Sequence, residues 1–101
     1  MPNPAELLLT SLAACLLKNI ERYSEILHIS YRKAEIEAIR TDSPPQIIEI
    51  KYYLRIATDE TERKINTLHK NILKFGTISN TLAKTCKLDG TLQIIDYEND
   101  R

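Results

Sequence analysis

The sequence contains only two glycines, Gly76 and Gly90, among its 101 residues. A loop that cradles a phosphate needs several glycines close together, so a nucleotide-binding loop of this kind is excluded. The two histidines, His28 and His69, stand alone, without a carboxylate or thiol at ligand spacing. This pattern argues against a metal site. The sequence therefore predicts neither a cofactor nor a bound metal.

Excess charge of either sign is also lacking. Lysine and arginine together number 14, as do aspartate and glutamate, so the formal net charge is zero. Without a basic field, the chain is not expected to attract nucleic acid or anionic lipid. The two cysteines, far apart and without a Cys-x-x-Cys motif, do not form a disulfide framework. These features predict a cytoplasmic, reduced protein in which either cysteine, if it reacts, reacts as a thiol.

Long hydrophobic runs are missing as well. The most apolar stretch covers residues 7–17, well short of the roughly 20 residues that span a bilayer. Residues 12–15 (Leu-Ala-Ala-Cys) are similar to a bacterial lipoprotein cleavage site. The segment before them contains Glu6 and no lysine or arginine, however, whereas a signal peptide begins with a cationic region. We therefore favour a helix that continues through Cys15, with no membrane partner.

A helix-opening signal stands at the start of the chain. Asn3 is a good N-cap, Pro4 suits the first helical position, and Glu6 has the spacing of a capping box. The pattern predicts a helix from Pro4 to about Ile26. Its first half is apolar on nearly every face, so other protein must surround it.

Alternating segments predict strands. Residues 31–41 alternate between small or apolar and charged side chains, and residues 42–45 have turn composition. In the segment that follows, one face carries Ile48, Ile50, Tyr52, Leu54 and Ile56. Together these segments predict an antiparallel pair with one buried side. Residues 91–97 predict a last strand.

A second helix is predicted from near Asp59, capped with the help of Glu62, to Gly76. Its inward-facing side chains are expected to be Ile65, Leu68, Ile72 and Phe75. Residues 79–84 predict a short helical turn capped by Ser79.

These elements predict a single α+β domain over residues 1–101, in which a long central apolar helix and a second helix pack on a small antiparallel sheet. One sheet face and one further helix cannot enclose a helix that is apolar all round. A second copy of the chain would provide the missing surface. The sequence therefore predicts an obligate homodimer.

Three features, in this order, resemble the OsmC/Ohr family of osmotically inducible and organic hydroperoxide resistance proteins. They are residues 3–8 (Asn-Pro-Ala-Glu-Leu-Leu), Cys15, and residues 79–82 (Ser-Asn-Thr-Leu). The resemblance extends from residue 3 to near residue 96. It implies an OsmC-like, intertwined homodimer of the stress response, whose characterised relatives reduce organic hydroperoxides with a pair of thiols. Cys15 falls at the position of the family's peroxidatic cysteine.

That chemistry needs a thiolate, which attacks the O–O bond and becomes a sulfenic acid that a second thiol resolves. Helical spacing places Lys18, Asn19 and Arg22 on the face of Cys15. The cations Lys18 and Arg22 are therefore candidates for stabilising the thiolate. The alternative is that Cys15 is a small buried side chain in a leucine-rich helix and that both cations reach solvent.

The chain departs from the family pattern in three ways. The position of the resolving cysteine is Gly76, and Cys86 replaces it only if its Cα comes within about 7 Å of that of Cys15. The catalytic carboxylate of the hydroperoxide reductase branch falls at Ala5, although Glu6, a capping residue, could partly replace it. The family's N-terminal β region, which supplies an activating arginine, has no counterpart before the Asn-Pro motif. We therefore expect an OsmC-like domain without it, either because the region was lost or because the sequence was recorded from an internal start.

Two functional hypotheses follow. The first is a thiol-dependent organic hydroperoxide reductase in which Cys15 is peroxidatic. Its partners are the hydroperoxide and a thiol reductant, and resolution comes from Cys86, from another subunit or from an external low-molecular-weight thiol. The second is a non-catalytic dimeric module, either a remnant or a binder of small apolar molecules at the subunit interface.

Overall fold

A computed structural model describes residues 4–44 and 46–96, without the side chain of Asp96. The helices are α1 (Pro4–Leu27), α2 (Glu62–Phe75) and α3 (Thr77–Ala83), and the strands are β1 (Lys33–Ser43), β2 (Gln46–Thr58) and β3 (Lys87–Asp96). The long first helix, the strand pair, the second helix and the last strand match the predicted elements in type and order. The predicted cap Asn3 and the predicted strand residue Tyr97 lie outside the described residues.

Helix α1 ends through a left-handed residue at its C-terminus. His28 has a φ of 57°. Its N–H bonds the carbonyl of Glu25, and the N–H of Ile29 bonds the carbonyl of Ser24 at 2.8 Å. This pair of bonds is a Schellman motif, which satisfies carbonyls that the last helical turn leaves free. The chain then turns back toward β1.

The three strands form one sheet in the order β1-β2-β3. Strands β1 and β2 are antiparallel, as the alternating pattern predicted. Strand β3 is parallel to β2, so the sheet is mixed and the predicted wholly antiparallel arrangement is wrong for this strand. The physical reason is the connection. Helices α2 and α3 carry the chain back across the sheet, and a crossover of that length allows a parallel neighbour.

A bulge interrupts the pairing of β1 with β2. The register shifts between Thr41 and Asp42, because Ile48 has no partner on β1. An extra residue reverses the alternation beyond it. Ile47 therefore packs against the core, whereas Ile48 is 46% exposed. The prediction that Ile48 shares the buried face of β2 is wrong for this reason.

The core lies between the inward face of β2 and one stripe on each of α1 and α2. Its fully buried side chains are Leu12, Leu16, Ile20, Ile50, Tyr52, Leu54, Ile56, Ile65, Leu68 and Ile72. On the helices these residues recur at intervals of three or four, the spacing of one helix face. Phe75, which was expected in this core, is 50% exposed. It instead stacks on Tyr23, with ring centroids 5.5 Å apart.

The N-cap of helix α2 lies two residues later than the predicted cap, Asp59. The N-cap is Thr61, whose hydroxyl accepts a hydrogen bond from the Lys64 N–H at 3.3 Å. Just before it, the Thr58 hydroxyl donates to the Ser30 carbonyl at 2.6 Å. This bond ties the end of β2 to the segment before β1, and the same hydroxyl accepts a hydrogen bond from the Glu60 N–H at 3.1 Å. Asp59 lies in this bend, before the cap.

Candidate functional site around the thiol of α1

Cys15 is half-buried in α1, between the buried Leu12 and Leu16. The side-chain amide of Asn19, one turn later, donates to the Cys15 carbonyl at 3.0 Å. The same nitrogen lies 3.5 Å from Cys15 Sγ. An N–H group aimed at sulfur favours negative charge there, because hydrogen bonds to ionised groups are stronger than those to neutral ones. Asn19 is therefore the described polar group best placed to assist a thiolate.

The two candidate cations are engaged elsewhere. Lys18 Nζ lies 3.9 Å from a carboxylate oxygen of Glu21, and both side chains are largely exposed. The Arg22 guanidinium lies 5.8 Å from the ring centroid of Tyr23. Charges in solvent are screened, so an effect on Cys15 would be weak from these orientations. Sequence spacing identified the helix face, but it could not tell which side chain on that face would reach the sulfur.

Gly76 lies next to this site and leaves no room for a side chain. A Cβ at position 76 would stand 3.5 Å from Asn19 Nδ2, the atom that contacts Cys15 Sγ. It would also stand 2.6 Å from Ser79 Oγ and 2.7 Å from the Ile72 carbonyl oxygen. With a φ of −76° any residue could adopt this backbone, so glycine is required here for space. The position faces the thiol region but is sterically closed.

The Ser-Asn pair of residues 79–80 holds this turn together. Ser79 is buried, and its hydroxyl lies 3.3 Å and 3.1 Å from the carbonyl oxygens of Leu73 and Gly76. The Asn80 amide donates to the carbonyls of Lys74 and Gly76, both at 2.9 Å. These carbonyls belong to the end of α2, where helical partners run out. Ser79 thus contacts the carbonyl groups at the C-terminal end of α2. The prediction that it caps α3 is wrong, because that helix already begins at Thr77.

Cys86 has different surroundings. Its Sγ lies 3.5 Å from the Leu82 carbonyl oxygen, and it lines a cavity of about 350 Å³ together with Leu8 and Ile47. Leu8 is two helical turns before Cys15, roughly 10 Å along the helix axis. Both thiols are free. The pairing of Cys86 with Cys15 stays a prediction without support from a shared site.

Glu6 stands in the first turn of α1 and is exposed. An acidic residue there interacts favourably with the positive end of the helix dipole. Nine positions separate it from Cys15, which corresponds to roughly 13 Å along the axis. Neighbouring Ala5 is half-buried and carries no carboxylate. The place of Glu6 at the helix start agrees with a capping role. A role of Glu6 in catalysis stays a prediction.

Within residues 4–44 and 46–96, no group of three or more histidine, cysteine, aspartate or glutamate side chains could hold a metal ion. None of the helices formed by these residues combines the length and hydrophobicity needed to cross a bilayer.

The fold and the site define a class: an α+β protein with a half-buried thiol on its central helix, opposite a tight turn between two later helices. The sequence profile of the family described as OsmC-like protein matches residues 1–90. The chain belongs to this family, and the resemblance noted from the sequence is confirmed. No curated protein shows a significant sequence match.

Solved structures share the fold. An OsmC-like protein from Mycoplasma pneumoniae superimposes with a TM-score of 0.87 at 21% identity, over 92% of this chain and 72% of that one. An organic hydroperoxide resistance protein OsmC from Legionella pneumophila gives 0.72 at 15% identity, over 90% and 69%. The organic hydroperoxide resistance protein OhrB of Bacillus subtilis gives 0.61 at 19% identity, over 90% and 70%. The α+β, OsmC-like fold is thereby confirmed.

Proposed function

We propose that this protein is an OsmC-type thiol peroxidase that reduces organic hydroperoxides at Cys15. The observation that carries the proposal is the half-buried thiol with the Asn19 amide 3.5 Å from its sulfur, in a chain of the OsmC-like family. The names of the Legionella and Bacillus relatives, which refer to organic hydroperoxide resistance, add support. The two free thiols suit a reducing compartment, so we place the activity in the cytoplasm.

In the proposed reaction the Cys15 thiolate attacks the terminal oxygen of a hydroperoxide ROOH. An S–O bond forms as the O–O bond breaks, and the departing alkoxide takes up a proton and leaves as the alcohol ROH. The sulfur is oxidised by two electrons to a sulfenic acid, and the peroxide is reduced by the same two. Asn19 donates its amide hydrogen toward the sulfur throughout.

Resolution requires two further thiol equivalents. Position 76 carries no sulfur, and Cys86 lines a cavity whose lining residues do not include Cys15. We therefore assign resolution to an external low-molecular-weight thiol, which condenses with the sulfenic acid and releases water. A second molecule of that thiol then exchanges with the mixed disulfide, which frees Cys15 and yields the small-molecule disulfide.

One equivalent of cumene hydroperoxide, followed by mass spectrometry of the intact protein and its peptides, tests the proposal. We expect one added oxygen atom on Cys15, or a mixed disulfide when a small thiol is present. Cys15→Ser should abolish turnover, whereas Cys86→Ser, the matched control, should retain it with an external thiol.

Unmodified Cys15 with full recovery of the protein would refute the peroxidase and leave the second hypothesis, a non-catalytic dimeric module. The orientations of Lys18 and Arg22 away from the thiol are the observation that favours this second candidate. A Cys15–Cys86 disulfide after peroxide treatment would instead contradict the external thiol and identify Cys86 as the resolving residue.

We also propose that the chain forms an intertwined homodimer through α1. Within one chain α1 buries Leu12 and Leu16 but leaves Leu7 49% and Leu17 36% exposed. Ala14 is exposed as well. Residues 7, 14 and 17 lie on one side of α1, because positions i, i+7 and i+10 share one helix face. Apolar side chains aligned in this way favour burial against a second protein surface.

A further inference from the structure

A second cavity, of about 390 Å³, lies between β3 and the helices α2 and α3. We refer to it as the β3–α2 cavity. Its apolar walls are formed by Leu73, Ala83 and Leu88, and Tyr52 and Gly90 line it from the sheet. None of its lining residues belongs to α1. Cys15 and Asn19 therefore do not line it, although Ser79, whose hydroxyl lies beside Gly76, does.

The sheet side of this cavity is rigidly built. Tyr52 is 1% exposed, and its hydroxyl lies 2.5 Å from His69 Nε2 on α2. Its ring covers the backbone of Gly90 so closely that a Cβ there would stand 2.0 Å from Tyr52 Cζ. Glycine at position 90 thus makes room for the ring, and the hydrogen bond holds the ring in place. The cavity belongs to the packed fold.

Two lysines give the cavity its charge. Lys70 and Lys74 both line it and are both exposed, one helical turn apart on α2. Like charges at this spacing destabilise a helix. Among the described residues, neither ammonium group forms an ion pair, although that of Lys74 lies 5.3 Å from the ring centroid of Phe75. Asp89, the acidic residue between two cavity-lining positions of β3, is exposed and alternates to the opposite face of the sheet. Its charge still reaches the cavity, because burial and, after it, Asp89 raise the pKa of Tyr52.

We propose that the β3–α2 cavity binds a small amphiphilic anion, a carboxylate with a short aliphatic chain. The carboxylate lies between Lys70 and Lys74, where it relieves the repulsion between the two ammonium groups. The aliphatic chain of the ligand lies against Leu73 and Leu88 and is removed from water there. An apolar wall with a few charged groups at one end is the usual composition of a small-molecule site.

Titration of the full-length protein with octanoate, followed by amide chemical shifts, tests this assignment. We expect saturable shifts in residues 70–74, 79–83 and 88–90. Octanol and octylammonium have the same chain with a neutral or positive head group. We expect octanol to bind about fivefold more weakly than octanoate, because a neutral head group gains nothing from the two ammonium groups. Octylammonium should bind more weakly still, because the two ammonium groups repel a cation.

Variants separate the two parts of the site. A double variant, Lys70→Gln with Lys74→Gln, should weaken octanoate binding about fivefold without affecting octanol. Lys64→Gln, on the same helix but outside the cavity, is the matched control and should bind octanoate normally. Ala83→Leu places a larger side chain at an exposed position of the wall and should remove binding of both compounds.

Three results would overturn the proposal. The first is the absence of octanoate binding up to about 10 mM, a concentration at which even a weak site fills. The second is a set of shifts confined to α1, which would assign the compound to the thiol site. The third is unchanged affinity in the double lysine variant, which would show that the charge of this cavity plays no part.

Discussion

At the scale of the residue, position 76 determines what can face the thiol of Cys15. The family resemblance indicated that a resolving cysteine is replaced by glycine there. The structure adds that Ser79 and the Ile72 carbonyl already occupy the space of a Cβ. The substitution is therefore matched by its surroundings, and these favour a mechanism that does not need a second sulfur at this position.

Restoring the cysteine should consequently destabilise the protein. We expect Gly76→Cys to lower the free energy of unfolding by about 1–3 kcal/mol, the usual effect of overpacking a buried site. Urea denaturation measures the change. Thr77→Cys, at the adjacent exposed position, is the control and should stay near wild type. A Gly76→Cys protein as stable as wild type would show that the turn between α2 and α3 can open.

His69 predicts a pH dependence of stability. Burial lowers the pKa of His69 from its ordinary value of 6.5, so the folded protein keeps the ring neutral where the unfolded chain already binds a proton. Since the unfolded state binds more protons in that range, the free energy of unfolding falls as the pH falls below 6.5, and above it the contribution is complete.

Urea denaturation between about pH 8 and pH 5 checks this sign. His69→Gln should show a smaller loss of stability toward acid than wild type. His28→Gln, at the exposed histidine that ends α1, should follow wild type. Identical acid profiles for wild type and His69→Gln would contradict the assignment to His69.

At the scale of the element, a hydrogen bond to a residue distant in sequence helps to set where a helix begins. Two residues near the start of α2, Asp59 and Thr61, are both good caps in sequence. The bond from Thr58 to Ser30 anchors the end of β2, Asp59 lies in the bend that follows, and Thr61 is the cap. A choice between two equivalent caps is thus made by a contact with a distant part of the chain.

Single substitutions that remove the Thr61 hydroxyl or the Asp59 carboxylate distinguish the two candidate caps. Thr61→Ala should lower the free energy of unfolding by about 1 kcal/mol through loss of the N-cap. Asp59→Ala should have a much smaller effect. Thermal denaturation of both variants provides the measurement, and a larger loss in Asp59→Ala would restore the cap predicted from sequence.

At the scale of the whole molecule, the exposed stripe of α1 is the feature that a single chain leaves unexplained. Dimerisation through this stripe predicts that Leu7→Glu combined with Leu17→Glu yields monomers, because two charges would be buried at the interface. Sedimentation velocity distinguishes the two states. Ile39→Glu, at an exposed apolar side chain of β1, should remain dimeric. A monomeric wild-type protein would contradict the proposed homodimer.

Features that depend on local pattern could be predicted from the sequence. The capping signal and apolar run at the start predicted α1 to within a residue of its C-terminal end, and alternation predicted the pairing of β1 with β2. The order of the Asn-Pro segment, Cys15 and residues 79–82 identified the family. The helix and strand signals are readable because they repeat with the period of a helix or a strand.

Features that arise from competition between distant groups appeared only in the folded protein. The crossover through α2 and α3 made β3 parallel, the unpaired Ile48 reversed the alternation of β2, and stacking on Tyr23 took Phe75 out of the core. At the site, orientation selected Asn19 over Lys18 as the contact of Cys15. Each outcome depends on which of several groups occupies a limited space in the folded protein. Spacing along the chain carries no information about that.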